Sequence, residues 1–197
     1  MMFLLAILLG YLFGSIPFGL VLSYMAGYGD IRKIGSGNIG ATNVLRTGNK
    51  PLAFVTLMLD SGKGAIAALT AMYLINDQAA IFAGLAAIIG HMFPVWLKFK
   101  GGKGVATTLG TLLAAVPTVG VFACLTWLVM ALIFRISSLS ALVAVALSPI
   151  AAHFIYGDAQ VSGVCGIIAL LVWVKHRANI QRLIKGEEPK IGKKKDK

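Results

Sequence analysis

Charge is scarce in this chain. Charged residues make up 13% of 197 positions and hydrophobic ones 58%, with a mean hydropathy of +0.85. A soluble domain carries about 25% charged residues, so the composition excludes a soluble enzyme and a disordered chain. Acid is scarcer still: seven Asp and Glu stand against 18 Lys and Arg, a net charge of +11. In a soluble protein that balance suggests nucleic acid. Here no folded domain is left to carry such a surface, so no nucleic-acid partner is expected, and the charge belongs to membrane topology or anionic substrates. There are two cysteines, Cys124 and Cys165, both in apolar stretches. They exclude a disulfide scaffold and read as buried free thiols. No His, Cys or carboxylate cluster has metal-ligand spacing, so neither metal nor cofactor is expected. The N-terminus lacks a basic segment ahead of its long apolar run, which reads as a retained first helix and not a signal peptide.

What the chain does have is long apolar runs. At about 20 residues per crossing, its length allows at most about seven or eight. Polar breaks divide it into seven: Met2–Gly27, Pro51–Ile75, Ala79–Leu97, Gly104–Val116, Thr118–Phe134, Ser138–Tyr156 and Val161–Val174. The fourth and seventh are short, and the break at Pro117 also fits a kink within one longer helix. Charge placement separates the two readings. With seven crossings, 17 of the 18 basic residues fall on one side and none on the other, Lys63 lying within the second helix. The positive-inside rule then puts the N-terminus outside and the C-terminus in the cytoplasm. The expectation is an all-α polytopic membrane protein of seven transmembrane helices. Residues 1–184 form its single domain and 185–197 a basic, disordered cytoplasmic tail near anionic headgroups. No internal repeat is visible.

Four polar islands face the basic side. The first is Gly35-Ser36-Gly37-Asn38-Ile39-Gly40-Ala41-Thr42-Asn43, followed by Arg46. Its glycines match a dinucleotide fingerprint, with Asp60 twenty residues on, but that motif needs a preceding strand and a βαβ unit. The physical content survives: successive N–H groups on a glycine loop form an anion nest, and Ser36, Asn38, Thr42, Asn43 and Arg46 suit a phosphate. A flexible interhelical turn is the alternative, but a mere turn would not need so many small and amide residues in nine positions. The second island runs from His91 and Pro94 through Lys98 and Lys100 to Gly101-Gly102-Lys103-Gly104. Glycines around a lysine at a helix start describe an anion site, although Gly104 where a Walker loop needs Ser or Thr excludes that motif. For Lys98 and Lys100 a topological anchor explains as much. His91 fits helix packing as well as substrate contact.

The third island is Asp60 and Lys63, one turn apart inside the second helix. Intramembrane charges are costly and mark functional sites by default. An ion pair bracing the neighbouring glycines at 62 and 64 is the structural alternative. The fourth is Lys175 to Arg182, read as the last helix continuing into the cytoplasm with His176 and Asn179 on one face. A further pair, His153 and Asp158, has the H-x4-D spacing of thioester-dependent glycerolipid acyltransferases. It lies on the side without cations and has no partner motif, so chance is the better account.

Together the islands resemble the bacterial acyl-phosphate:glycerol-3-phosphate acyltransferases, the PlsY family. The resemblance is carried by Gly35 to Asn43 with Arg46, Asp60-x-x-Lys63-Gly64, Gly90-His91-x-Phe-Pro94 running into Phe99 to Thr107, and His176-Arg-x-Asn179-Ile with Arg182-Leu and Gly186-x-Glu188. It implies transfer of a fatty acyl group from acyl phosphate to the sn-1 hydroxyl of glycerol 3-phosphate, giving lysophosphatidate and phosphate, in the bacterial inner membrane. It further implies Ser36, Lys103, His176 and Asn179 as catalytic residues. Gly35, Gly37, Asn38, Thr42, Asn43, Arg46, Lys63, Gly101, Gly102, Gly104 and Ser138 bind substrate, and Asp60 and His91 support them. Acyl phosphate is already activated, so positioning and charge stabilisation carry most of the task. The proton acceptor stays open among the donor's own phosphate, His176, and a covalent route through Ser36. The expected partners are the two substrates and the bilayer, with the protein acting as a monomer. A small-anion or organophosphate transporter is the rival class, weakened by outer loops too short to form a second gate.

Overall fold

The computed structural model describes residues 1–191. Among these the structure is helical with no strand: α1 Met2–Gly14, α2 Phe18–Met25, α3 Ala41–Val44, α4 Lys50–Leu74, α5 Asp77–Met92, α6 Val105–Ala115, α7 Pro117–Phe134, α8 Ser137–Tyr156, α9 Ala159–Lys175 and α10 Arg177–Ile184. Two compact units meet in sequence at Pro117, the first holding α1 to α6 and the second α7 to α10.

In the first unit α5 is buried along most of its length, and α1, α4 and α6 pack against it. Lipid tails are as apolar as leucine, so close backbone approach, not hydrophobicity, holds such helices together. Accordingly Gly10 and Gly14 of α1 lie against the backbone of Ala83 and Ala87, and Gly110 of α6 against Ser61. Side-chain caps define the starts of the long helices. Asn49 Oδ1 accepts the Leu52 N–H at 2.9 Å, and Asn76 Oδ1 accepts that of Ala79 at 2.8 Å, satisfying donors that an uncapped helix leaves orphaned.

Each of the seven apolar segments appears as helix, with three differences. The first is broken: Met2–Met25 remains one candidate span, but α1 stops at Gly14 because Pro17 has no N–H and disfavours helical backbone at Ile16. The fourth is only α6, whose 11 residues reach about 16 Å at 1.5 Å per residue. Val116 ends it with non-helical torsions of φ −141° and ψ 73°, and a separate helix begins at Pro117. The last does not continue straight, for α9 and α10 meet at 66°. The turn is at His176, whose N–H is shared between the Val172 and Trp173 carbonyls. By length and composition five spans, or six with the bent pair, suit a membrane crossing among the described residues. Cys124 and Cys165 are free thiols. Residues 185–191 of the expected tail are described, and 192–197 lie outside the described residues.

Candidate active site

The first glycine loop is a small folded unit. Asp30 caps the 3-10 turn Ile31–Lys33 through the Arg32 N–H at 3.0 Å. It also pairs with the Arg32 guanidinium at 2.7 Å, which pulls its carboxyl down to about 2. Ile31, Ile39 and Val44 bury their side chains with Leu20 and Ala53 beneath the loop. Asn43, itself buried, organises what lies above. Its Nδ2 donates to the Ile31 and Ile34 carbonyls, both at 3.0 Å. Its Oδ1 accepts from the Ser36 N–H at 2.9 Å and the Ser36 hydroxyl at 3.1 Å.

Gly35 has φ +58°, and the Arg46 side chain lies directly against its α-carbon, where any Cβ would collide with it. Only glycine meets both conditions. The result is an exposed Ser36 hydroxyl and an exposed Arg46 guanidinium on one internally bonded turn. Gly37, Asn38 and Thr42 belong to the same turn, with Thr42 exposed and Asn38 half-buried.

The second loop is built on the end of α5. The Gly102 N–H donates to the His91 carbonyl at 3.0 Å and the Gly101 N–H to that of Met92 at 3.2 Å. The α-carbon of Gly102 faces the His91 imidazole, and Gly104, at φ +80°, packs on Met92. The Gly104 carbonyl then takes the Thr108 N–H at 2.8 Å and starts α6. Lys103 sits half-buried between these glycines. Beneath the loop Asp60 lies between two cations or potential cations, with Lys63 Nζ at 3.0 Å and His91 Nδ1 at 3.5 Å from its Oδ1. Lys63 also donates to the Ile16 carbonyl at 2.9 Å and lies 5.6 Å from the centre of the Phe18 ring.

In the second unit a carboxylate is the hub. Glu188 Oε1 accepts from the Ser138 hydroxyl at 2.7 Å and from Asn179 Nδ2 at 2.5 Å, and Oε2 accepts from Arg182 Nε at 2.7 Å. Burial opposes ionisation of this carboxyl, but the hydrogen bonds from Ser138, Asn179 and Arg182 outweigh it and hold it below the usual glutamate range. His176, at the bend, is buried with Nδ1 2.8 Å from the Val172 carbonyl.

The family description Glycerol-3-phosphate acyltransferase matches residues 4–186. The chain belongs to this family. A glycerol-3-phosphate acyltransferase of Rhodospirillum rubrum is 61% identical over 196 residues, spanning 95% of this chain and 90% of its own. One of Paramagnetospirillum magneticum is 61% identical over 186 residues, spanning 94% and 92%. The crystal structure of PlsY, an integral membrane glycerol 3-phosphate acyltransferase, in its glycerol 3-phosphate form superposes with a TM-score of 0.92 at 39% identity, covering 98% of this chain and 96% of that one. Its lysophosphatidic acid form gives 0.89 at 38%, with the same coverage. This acyltransferase is therefore a multi-pass membrane protein, as its apolar helices imply.

With the family known, the expected residues sort by what they touch. Ser36 and Arg46 stand together on the first loop, and Gly101, Gly102, Lys103 and Gly104 form the second. Asp60 and His91 support that second loop from below. Lys63, expected at the substrate, is fully buried, with its ammonium on Asp60 and the Ile16 carbonyl. Ser138 and Asn179 share one carboxylate oxygen.

Glu188 carries a role that sequence reasoning did not assign to it. The available signals were its place in the Gly186-x-Glu188 motif and its negative charge inside a basic tail, but its partner Ser138 is 50 residues away. Two further sequence patterns have a plain structural setting. The glycine fingerprint is flanked by helices and no strand. Asp158 spends Oδ1 on the Gln160 and Val161 N–H groups at the start of α9, at 2.7 and 3.1 Å. Among the described residues no three of His, Cys, Asp and Glu gather as a metal site.

Proposed function

We propose that this protein transfers a fatty acyl group from acyl phosphate to the sn-1 hydroxyl of glycerol 3-phosphate, releasing lysophosphatidate and inorganic phosphate. The observation that carries the reading is the exposed Ser36–Arg46 pair on a preorganised glycine loop, in a chain of the glycerol-3-phosphate acyltransferase family. Such a turn presents a guanidinium, a hydroxyl and backbone N–H groups to a phosphate without paying to order them first. Lys103, at the start of α6, supplies a second cation where the helix dipole also favours an anion.

In the reaction the sn-1 oxygen attacks the acyl carbonyl carbon, the bond from that carbon to the phosphate oxygen breaks, and phosphate leaves with the bond's electron pair. The hydroxyl proton goes to the departing phosphate. Ser36, Arg46 and Lys103 bind phosphate, His176 and Asn179 orient the glycerol phosphate, and Ser138 serves the donor phosphate. With an activated donor no acyl-enzyme is needed. All seven apolar segments cross the inner membrane, α6 being the shortest of them. The N-terminus is outside, and both glycine loops are on the cytoplasmic face with 17 of 18 basic residues. One chain holds every group invoked, so the monomer is the working unit.

The test offers radiolabelled glycerol 3-phosphate with palmitoyl phosphate or palmitoyl-CoA to purified protein in lipid mesophase. Lysophosphatidate from the phosphate donor alone, lost in Lys103→Ala and retained in EDTA, is the expected result. Transfer from the thioester overturns the donor assignment. Acylated Ser36 trapped by mass spectrometry overturns the direct transfer.

A further inference from the structure

Between α5 and the second glycine loop the chain makes a turn that neither loop's chemistry uses. Val95, Trp96 and Phe99 are exposed, Trp96 at 62% and Phe99 at 58%, and Lys98 and Lys100 beside them are exposed too. The turn adopts left-handed backbone at two successive non-glycine residues, Lys98 with φ 51° and Phe99 with φ 62°. L side chains enter that region only at a cost, so the surrounding structure must hold it. It does: the Leu97 and Phe99 N–H groups both donate to the Pro94 carbonyl, at 3.1 and 3.0 Å, and the Lys100 N–H donates to Leu97 at 3.0 Å. Strain of this kind persists where a conformation is used. Here it turns two aromatic rings and two ammonium groups outward on a six-residue stretch with no carboxylate from 92 to 104.

One side chain of the turn points the other way. Leu97 packs onto the cluster of Leu20, Ile31, Ile39, Val44 and Ala53 beneath the first glycine loop. At its far end the same turn passes directly into Gly101 and Lys103. Whatever holds Trp96 and Phe99 therefore bears on both loops.

We infer that the turn Val95–Lys100 is a docking surface for anionic phospholipid headgroups of the surrounding bilayer, and that docking holds the two glycine loops in their working positions. Aromatic rings favour the headgroup boundary, and paired lysines beside them select negative over zwitterionic lipid. The commitment to an anionic lipid surface rests on that charge complementarity. The consequence for turnover rests on the acyl-transfer reading; the binding itself does not.

The test has two arms. The protein is placed in nanodiscs with brominated phosphatidylglycerol or brominated phosphatidylcholine at equal bromine content, and the Trp96 share of fluorescence quenching is taken as wild type minus Trp96→Phe. Stronger quenching by phosphatidylglycerol is expected, with Lys98→Gln/Lys100→Gln raising the half-quenching lipid fraction by about tenfold. High salt should weaken the preference. Equal quenching by the two lipids, or an unchanged preference in the double variant, overturns the docking surface. In the second arm, acyl transfer by wild type should rise severalfold with phosphatidylglycerol content and by the double variant should not. An equal rise in both overturns the coupling to the loops. Lipid-selective quenching without acyl transfer in any lipid sinks the acyltransferase reading and leaves the docking surface standing.

Discussion

The Lys63 ammonium donates to the carbonyl of Ile16, a residue 47 positions earlier that stands at the break between α1 and α2. The interruption at Pro17 takes the Ile16 carbonyl out of helical bonding, so that beside the Phe18 N–H at 3.1 Å it also accepts from a buried cation. The break and the intramembrane charge thus support each other, with Asp60 neutralising Lys63 from the same face of α4. Removing one partner leaves an uncompensated buried charge, which costs about 3–5 kcal/mol. Lys63→Met should therefore lower the thermal midpoint in detergent markedly, and Asp60→Asn/Lys63→Met should recover much of the loss. A double variant no more stable than the single one would contradict the pairing.

Gly102 has no space for a methyl group, because the His91 imidazole occupies it. Gly102→Ala must push either the ring or the loop, at about 1–3 kcal/mol for overpacking. The expected outcome is a raised KM for glycerol 3-phosphate as Lys103 moves, partly reversed by His91→Ala in the same chain. Steady-state kinetics on the two variants decides it.

Asn43→Asp is a sharper test of the first loop than deletion. Aspartate keeps the oxygen that receives the Ser36 N–H and hydroxyl, but it cannot donate to the Ile31 and Ile34 carbonyls. Each buried group left unsatisfied costs about 1–3 kcal/mol. Loss of phosphate-substrate affinity of at least tenfold is expected, with Asn43→Ala behaving similarly. Wild-type kinetics in Asn43→Asp would mean the loop does not depend on those two bonds.

The Glu188 carboxyl is depressed in the folded protein by its three donors, acting against burial. A depressed carboxyl contributes stability that is fully present above the unfolded value of about 4.3. That contribution is lost as pH falls through the lower folded value. Wild type should therefore exceed Glu188→Gln in thermal midpoint by a constant margin from pH 5 to 7, and the margin should shrink below about pH 4. A margin independent of pH down to 3 would show that the charge is not what matters.

Asp158 acts as a helix cap, so Asp158→Ala should cost about 1 kcal/mol of stability and leave acyl transfer unchanged. His153→Ala should likewise leave transfer unchanged. A large loss of turnover in either well-folded variant would return the pair to the active site.

The amino-acid sequence by itself determined where the helices lie. Hydrophobic runs are local, and the polar breaks at Asn49, Asn76 and Asp158 became the caps of α4, α5 and α9 almost where the runs began. It also determined which loops are rich in glycine and cation, because Gly35, Gly37 and Gly104 are needed for their own backbone angles. The broken first helix was harder to read, since membrane helices tolerate proline when neighbours satisfy the freed groups, and here the neighbour is Lys63. Tertiary structure alone decided which charges are spent internally and which remain on a surface. Lys63 and Arg46 are both single cations within two residues of a glycine in sequence, yet one is buried on Asp60 and the other stands exposed against Gly35. The same holds for Glu188, whose three donors come from the helices α8 and α10. The physical reason is one of range. Propensity and hydrophobicity act within a few residues, whereas a buried charge is satisfied only by groups that folding brings to it from elsewhere in the chain.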